Sequence, residues 1–241
     1  MQVFHIIQLI LLLIIFSYLF YYTYTLLFGK NYQPKTWKKA VKEGKVSGEL
    51  KAAERKYTDK YRFYNFWFQV ERIKNINGDF AELGVYKGDT AYILHKMDPS
   101  RKLHLFDTFE GFTEKDLTVE EGKAATYTKH NFADTSLENV KRRLNSEQFI
   151  FHEGYFPETA KGTKDIKFAL VSIDADLYNP TKAALDFFYP RLVPGGVMLV
   201  HDYNPDWPGI MKAVNDFVST IPEPIAPLPD KDSTVMIFKT K

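Results

Sequence analysis

The chain of 241 residues contains no cysteine, which excludes a disulfide-stapled scaffold and a cysteine nucleophile and turns any metal chemistry toward oxygen ligands. It also lacks charge at its start, since no Asp, Glu, Lys or Arg precedes Lys30. Met1 to His5 carries no Lys or Arg and no Ala-x-Ala site comes after it, so the opening does not read as a cleaved secretory signal. A Gly-x-Gly-x-x-Gly run is missing, which removes the usual dinucleotide fingerprint. No internal repeat or low-complexity block is present, which excludes a solenoid and leaves a single domain after the opening segment.

What the start does have is a 25-residue apolar run, Phe4 to Phe28, interrupted only by His5, Gln8, Ser17, Thr23, Thr25 and tyrosines. That is long enough to cross a hydrocarbon core as a helix, and residues 1–29 are expected to be an uncleaved transmembrane anchor. Residues 30–60 hold ten Lys/Arg against four acids, a local charge of +6 in a chain whose total is +2. A basic linker beside an apolar span predicts a single-pass protein with the domain that follows on the cytoplasmic side, and the lysines would be drawn to anionic headgroups. The remainder is mildly acidic and carries no basic-aromatic stripe, so no nucleic-acid partner is expected.

Beyond the anchor, apolar spacing predicts helix from Ser47 to Lys74, and a catalytic domain over 61–241. Strands are expected at 80–85, 102–106, 148–152, 167–173 and 196–201, with helices at 90–96, 134–144, 179–190 and 208–218 between them. Ile225 to Leu228 and Ser233 to Phe238 read as a terminal hairpin. The alternation predicts an α/β fold, a mostly parallel Rossmann-like sheet covered by helices on both faces, with a C-terminal antiparallel hairpin and one N-terminal transmembrane helix. The polar segment 110–133 reads as a loop with a short helix, able to act as a lid. Tyr64, Phe66, Trp67 and Phe68 read as core or dimer contacts more than ligand contacts.

Ligands of such sheets sit beyond the carboxyl ends of the strands, and this chain concentrates polar residues there. Gly84 and Gly88 allow close backbone approach after the first strand. Asp107, 23 residues beyond Gly84, is placed to accept from a ribose diol, or alternatively to cap the next helix. Asp174 and Asp176 share a side while strand geometry persists, and Asp202 arrives after the Pro194-Gly195-Gly196 turn. Three converging carboxylates repel unless a hard cation such as magnesium intervenes. If the strand continues, alternation turns His201 away from Asp202, which leaves it either structural or a ligand or base.

Taken together, the runs Asp79-Phe80-Ala81-Glu82-Leu83-Gly84-Val85-Tyr86-Lys87-Gly88, Phe106-Asp107-Thr108-Phe109-Glu110-Gly111, Ile173-Asp174-Ala175-Asp176-Leu177-Tyr178, Pro194-Gly195-Gly196, His201-Asp202-Tyr203 and Trp207-Pro208-Gly209 resemble the macrocin O-methyltransferase family. The resemblance covers about Tyr61 to Phe238. It implies S-adenosylmethionine as cofactor and O-methylation of a sugar-like or phenolic hydroxyl, assisted by magnesium. By it, Glu82, Gly84 and Asp107 would hold the amino-acid and ribose parts of the cofactor, Gly154 and Tyr155 would border adenine, and Tyr86, Gly88, Thr90 and Asp174 complete the cofactor set. Asp174 and Asp202 would hold the metal, with His201 at a position where many members carry another aspartate. Asp176 resembles the base, and His201 would be the base of a metal-free variant.

The partners implied are a hydroxylated small molecule, glycan or lipid-linked, the membrane, and a second copy of the chain. Two other functions compete. A membrane-tethered scaffold could keep the fold without the chemistry, and a nicotinamide-dependent oxidoreductase could use the same sheet without the missing fingerprint.

Overall fold

The computed structural model describes residues 2–28 and 32–241, so the expected boundary between anchor and linker at 29/30, with Lys30, lies outside the described residues. The chain divides into two compact units, Met1–Ser47 and Gly48–Lys241.

In the first unit, α1 (Gln2–Phe28) runs uninterrupted for 27 residues because nothing in it is Pro, Gly or charged. At 1.5 Å per residue it is roughly 40 Å long. Its stretch Phe4–Tyr24 has a mean hydropathy of 2.2 and no buried side chain, so by length and composition it could cross a membrane. The short α2 (Lys35–Lys42) starts directly after Pro34, and Lys45 pairs with Glu43 at 2.7 Å just past its end.

The second unit opens with α3 (Gly48–Lys56) and α4 (Lys60–Arg72), where the apolar spacing predicts one continuous helix. The interruption comes from Asp59, whose side chain accepts from the Arg62 N–H and so starts a new helix. Strands and helices then alternate: β1 (Asp79–Leu83), α5 (Asp89–Met97), β2 (Leu103–Asp107), α6 (Glu114–Leu117), α7 (Leu137–Leu144), β3 (Phe149–Glu153), β4 (Phe168–Ile173), α8 (Tyr178–Phe188), β5 (Leu192–Val200), α9 (Pro208–Val218), β6 (Ile225–Leu228) and β7 (Thr234–Phe238). Ser136 caps α7 and delays its start past the expected residue 134. β5 begins at Leu192, so Pro194-Gly195-Gly196 is an irregular part of the strand, with Gly195 at φ 80°, and not the separate turn expected.

The sheet order is β3-β2-β1-β4-β5-β7-β6, parallel through β5 and antiparallel at β7 and β6. This is the Rossmann-like arrangement with the terminal hairpin. Every residue of β4 is buried, as a central parallel strand covered on both faces requires. The chain leaves β1 toward β2 on one side and returns through β4 on the other, which opens a crevice at the carboxyl ends of β1 and β4. Tyr64, Phe66 and Trp67 are buried in the unit, while Phe68 is exposed.

Candidate active site

Pairing continues one residue past the strands and lines up the site. The Gly84 N–H donates to Phe106, that of Asp174 to Leu83, that of His201 to Ile173 and that of Gly154 to Asp107, each at 2.9 to 3.0 Å. Beyond this edge lies a cavity of about 710 Å³, within the range of ligand sites.

Of the residues expected at the site, Glu82, Gly84, Tyr86, Thr90, Asp107, Gly154, Tyr155, Asp174, Asp176, His201 and Asp202 all line this cavity. Gly88 does not. It caps α5 at φ 80° and faces Val140 and Leu144, so it serves helix packing where a cofactor contact was expected.

One end of the cavity is organised by Asp107. One carboxylate oxygen accepts from the Val85 and Tyr86 N–H groups at 2.6 and 2.8 Å, and the other from Phe109 at 2.7 Å. Asp107 caps no helix, since α6 starts after Thr113; its carboxylate instead ties down the turn after β1, and Oδ1 keeps acceptor capacity. Glu82 is buried on β1 and its Oε2 has no partner. Burial, then the Asp174 charge, pushes its carboxyl well above the ordinary range. Thr90 shares a hydrogen bond with Tyr57 at 2.9 Å.

At the other end Asp174, His201 and Asp202 offer ligand atoms within 4.8 Å of one another. His201 would turn away from Asp202 only if the strand continued, and it does not. β5 stops at Val200 and Asp202 takes φ 62°, which ends the alternation and leaves His201 Nδ1 at 3.1 Å from both Asp174 and Asp202. Asp176, also left-handed at φ 58°, is likewise no longer in strand register with Asp174. Tyr86, Phe132, Asp176 and Asp202 are non-glycine residues at positive φ that all line the cavity, and such strain concentrates at working sites.

Sequence reasoning missed Arg62, which donates from Nη2 to Asp174 Oδ2 at 2.8 Å. A signal existed: Arg62 stands one helical turn before buried Phe66, and a charge beside an apolar stripe needs a partner. Burial alone would raise the pKa of Asp174, but Arg62 and His201 outweigh it and hold the carboxyl well below the usual range. For His201 burial acts downward, yet Asp174 and Asp202 prevail and bring it to about 10. At Asp176 burial, followed by Asp174 and Asp202, outweighs the opposing charges of His201 and Arg62 and pushes the carboxyl well above a normal carboxylate.

Residues 110–133 form the cover. Phe112 stacks on Tyr127 with centroids 5.4 Å apart, and Phe132 meets both edge-on. Gly111 lies close enough to the Lys129 and Asn131 carbonyls that a Cβ would stand 2.6 and 2.7 Å from them. Beneath, buried Asp116 accepts from Thr113, Tyr155 and Asn179.

The residues present suit S-adenosylmethionine, because a buried carboxylate oxygen without a partner at Glu82 awaits a cationic donor and Asp107 can still accept from a hydroxyl. They do not suit magnesium. That ion demands oxygen ligands, whereas both oxygens of Asp174 already serve nitrogen donors and an imidazole lies between the two carboxylates.

Residues 40–239 match the family described as Macrocin-O-methyltransferase (TylF). Over 170 residues the chain is 28% identical to the 8-demethyl-8-(2,3-dimethoxy-alpha-L-rhamnosyl)-tetracenomycin-C 4'-O-methyltransferase of Streptomyces olivaceus, covering 65% of this chain and 64% of that protein. Over 142 residues it is 30% identical to the mycinamicin III 3''-O-methyltransferase of Micromonospora griseorubida, covering 53% and 56%. The chain thus spans somewhat more than half the length of these relatives. The structure of the O-methyltransferase NovP superposes with a TM-score of 0.66 at 25% identity, over 76% of this chain and 81% of that one. A match that takes in nearly all of the sheet-bearing unit leaves one assignment: the chain belongs to the macrocin O-methyltransferase family.

Proposed function

We propose that this protein is an S-adenosylmethionine-dependent O-methyltransferase acting on a hydroxyl of a sugar-like or phenolic acceptor. The observation that carries the reading is one cavity with two chemically distinct ends, Glu82 and Asp107 at the first and Asp174, Asp176, His201 and Asp202 at the second. The relatives' sugar-bearing substrates favour a glycosylated acceptor.

When bound, S-adenosylmethionine supplies a methyl carbon whose bond to sulfur breaks as the acceptor oxygen bonds to it, the electron pair staying on sulfur. Glu82 would hold the ammonium group and Asp107 a ribose hydroxyl, fixing the cofactor in the same cavity as the acidic cluster. Asp176 takes the proton from the acceptor oxygen. Burial and the neighbouring carboxylates raise its affinity for a proton, which suits an acceptor of the hydroxyl proton. Residues 110–133 keep water from the transfer. Magnesium, expected from the resemblance, is not carried into this proposal because Arg62 and His201 engage the carboxylates.

Residues 1–29 serve as an anchor, 30–60 as a basic linker facing anionic lipid on the cytoplasmic side, and 61–241 as the transferase, with Ala52, Ala53 and Lys56 adding to its cavity wall. Membranes carrying the protein, incubated with methyl-labelled S-adenosylmethionine and a panel of glycosides and phenols, test the reading. A labelled methyl ether supports it. Binding of S-adenosylhomocysteine with no labelled product from any acceptor favours the scaffold alternative, and binding of NADH alone favours the oxidoreductase.

A further inference from the structure

We propose that Arg62 and His201 do, within this chain, the electrostatic work that a divalent cation would do at such an acidic cluster, so that methyl transfer here is independent of metal. The inference rests on the O-methyltransferase reading above and specifies how its acceptor end is organised.

Asp174 and Asp202 are held close together at the carboxyl edge of β4 and β5, and two carboxylates so placed repel unless positive charge or N–H donors join them. The chain provides both. Arg62 Nη2 reaches Asp174 Oδ2 at 2.8 Å, while His201 Nδ1 stands 3.1 Å from Asp174 Oδ1 and 3.1 Å from Asp202 Oδ1. Each oxygen of Asp174 is thereby engaged by a different nitrogen, and the point equidistant from the two carboxylates belongs to an imidazole. A magnesium ion needs near-octahedral oxygen ligation at about 2.0–2.1 Å, and imidazole is the ligand of softer ions.

Arg62 is built into this position. Its side chain is only 11% exposed. Asp59 fixes the start of its helix, and the guanidinium lies 5.6 Å from the centre of the Phe66 ring. A guanidinium cannot lose its charge in a protein, so it neutralises Asp174 at every working pH. Its Nε is buried without a partner although Arg62 lines the cavity, which leaves one donor unspent for an oxygen of the ligand. Arg62 is thus a positioning residue: it holds Asp174, and through Asp174 it holds His201 and Asp202.

The test uses the full-length protein in detergent with manganese as an electron-paramagnetic-resonance probe and magnesium as competitor. Wild type is expected to bind no stoichiometric manganese at millimolar concentration and to keep its methyl transfer in EDTA. The double variant Arg62→Gln/His201→Asp, which removes both cationic groups and adds an oxygen ligand, is expected to gain one manganese site that magnesium displaces. One stoichiometric manganese bound by wild type would overturn the proposal. So would the absence of a site in a double variant that still melts cooperatively, because the two cationic residues would then not be what keeps the ion away. If the double variant does not fold, His201→Asp alone is read by the same criteria. Calorimetry with S-adenosylhomocysteine runs in parallel, and its failure would sink the methyltransferase reading without touching the metal result.

Discussion

The hydroxyl of Tyr155 donates to Asp116 Oδ1 at 2.9 Å, joining the segment just past β3 to the cover of the cavity. The same oxygen accepts from Asn179 on α8 at 3.1 Å, and the other takes the Thr113 hydroxyl at 2.6 Å. A 3% exposed carboxylate with three donors is a latch between cover and sheet.

Asp116→Ala is predicted to leave those donors without an acceptor, lowering stability by about 2–4 kcal/mol and opening 110–133 to proteolysis. Urea melts with limited proteolysis check this. An unchanged cleavage pattern would mean that Phe112, Tyr127 and Phe132 hold the cover by themselves.

Gly84→Ala should prevent folding. A Cβ there would lie 1.9 Å from the Asp174 carbonyl oxygen, at a φ of +86° that side chains avoid, and the clash falls on paired backbone of β1 and β4 that has no room to move. Circular dichroism of the purified variant decides it, and a cooperative native-like melt would refute the proposed clash.

Asp176→Asn is expected to lower kcat by about 10²–10⁴-fold, the usual contribution of a general base, while S-adenosylhomocysteine still binds. Single-turnover rates with calorimetry separate the two. A variant that loses binding and turnover together would assign Asp176 to the cofactor instead.

His201 governs a pH dependence. Its folded pKa of about 10 exceeds the unfolded value of about 6.5, so folding favours the protonated ring. That contribution is fully present below about 6.5 and is lost as pH rises through about 10. Thermal melts across this window should show falling stability in wild type and a flatter profile in His201→Gln. Parallel profiles would remove the imidazolium from the stability account.

Deleting residues 2–28 should move the protein from the membrane to the soluble fraction and leave S-adenosylhomocysteine affinity unchanged. Fractionation and calorimetry read both. A truncated chain that stays on membranes would shift the attachment to the basic stretch, whose hold weakens in high salt.

Much of the fold is legible because its signals are local. The buried run of β4 and the turn residues at Gly84 state strand and strand end without reference to anything distant. Asp107, Asp174 and Asp202 are legible as site residues because the ends of parallel strands must gather at one edge. Arg62 is not legible in the same way, since its partner lies 112 positions away and only the docking of α4 brings them together. The direction of His201 is not legible either, because alternation holds only while a strand lasts, and left-handed Asp202 ends it.

From its residues alone this chain determines a cysteine-free, oxygen-based chemistry, an apolar opening segment and a set of carboxylates at strand ends. These properties come from composition and short-range periodicity, which need no tertiary contact. Only the tertiary structure decided what neutralises the carboxylates, and thereby whether Asp174, Asp202 and His201 await an ion or already complete one another. Electrostatic energy in a buried site depends on distances of a few ångströms between residues far apart in sequence, and only the packed fold sets those distances.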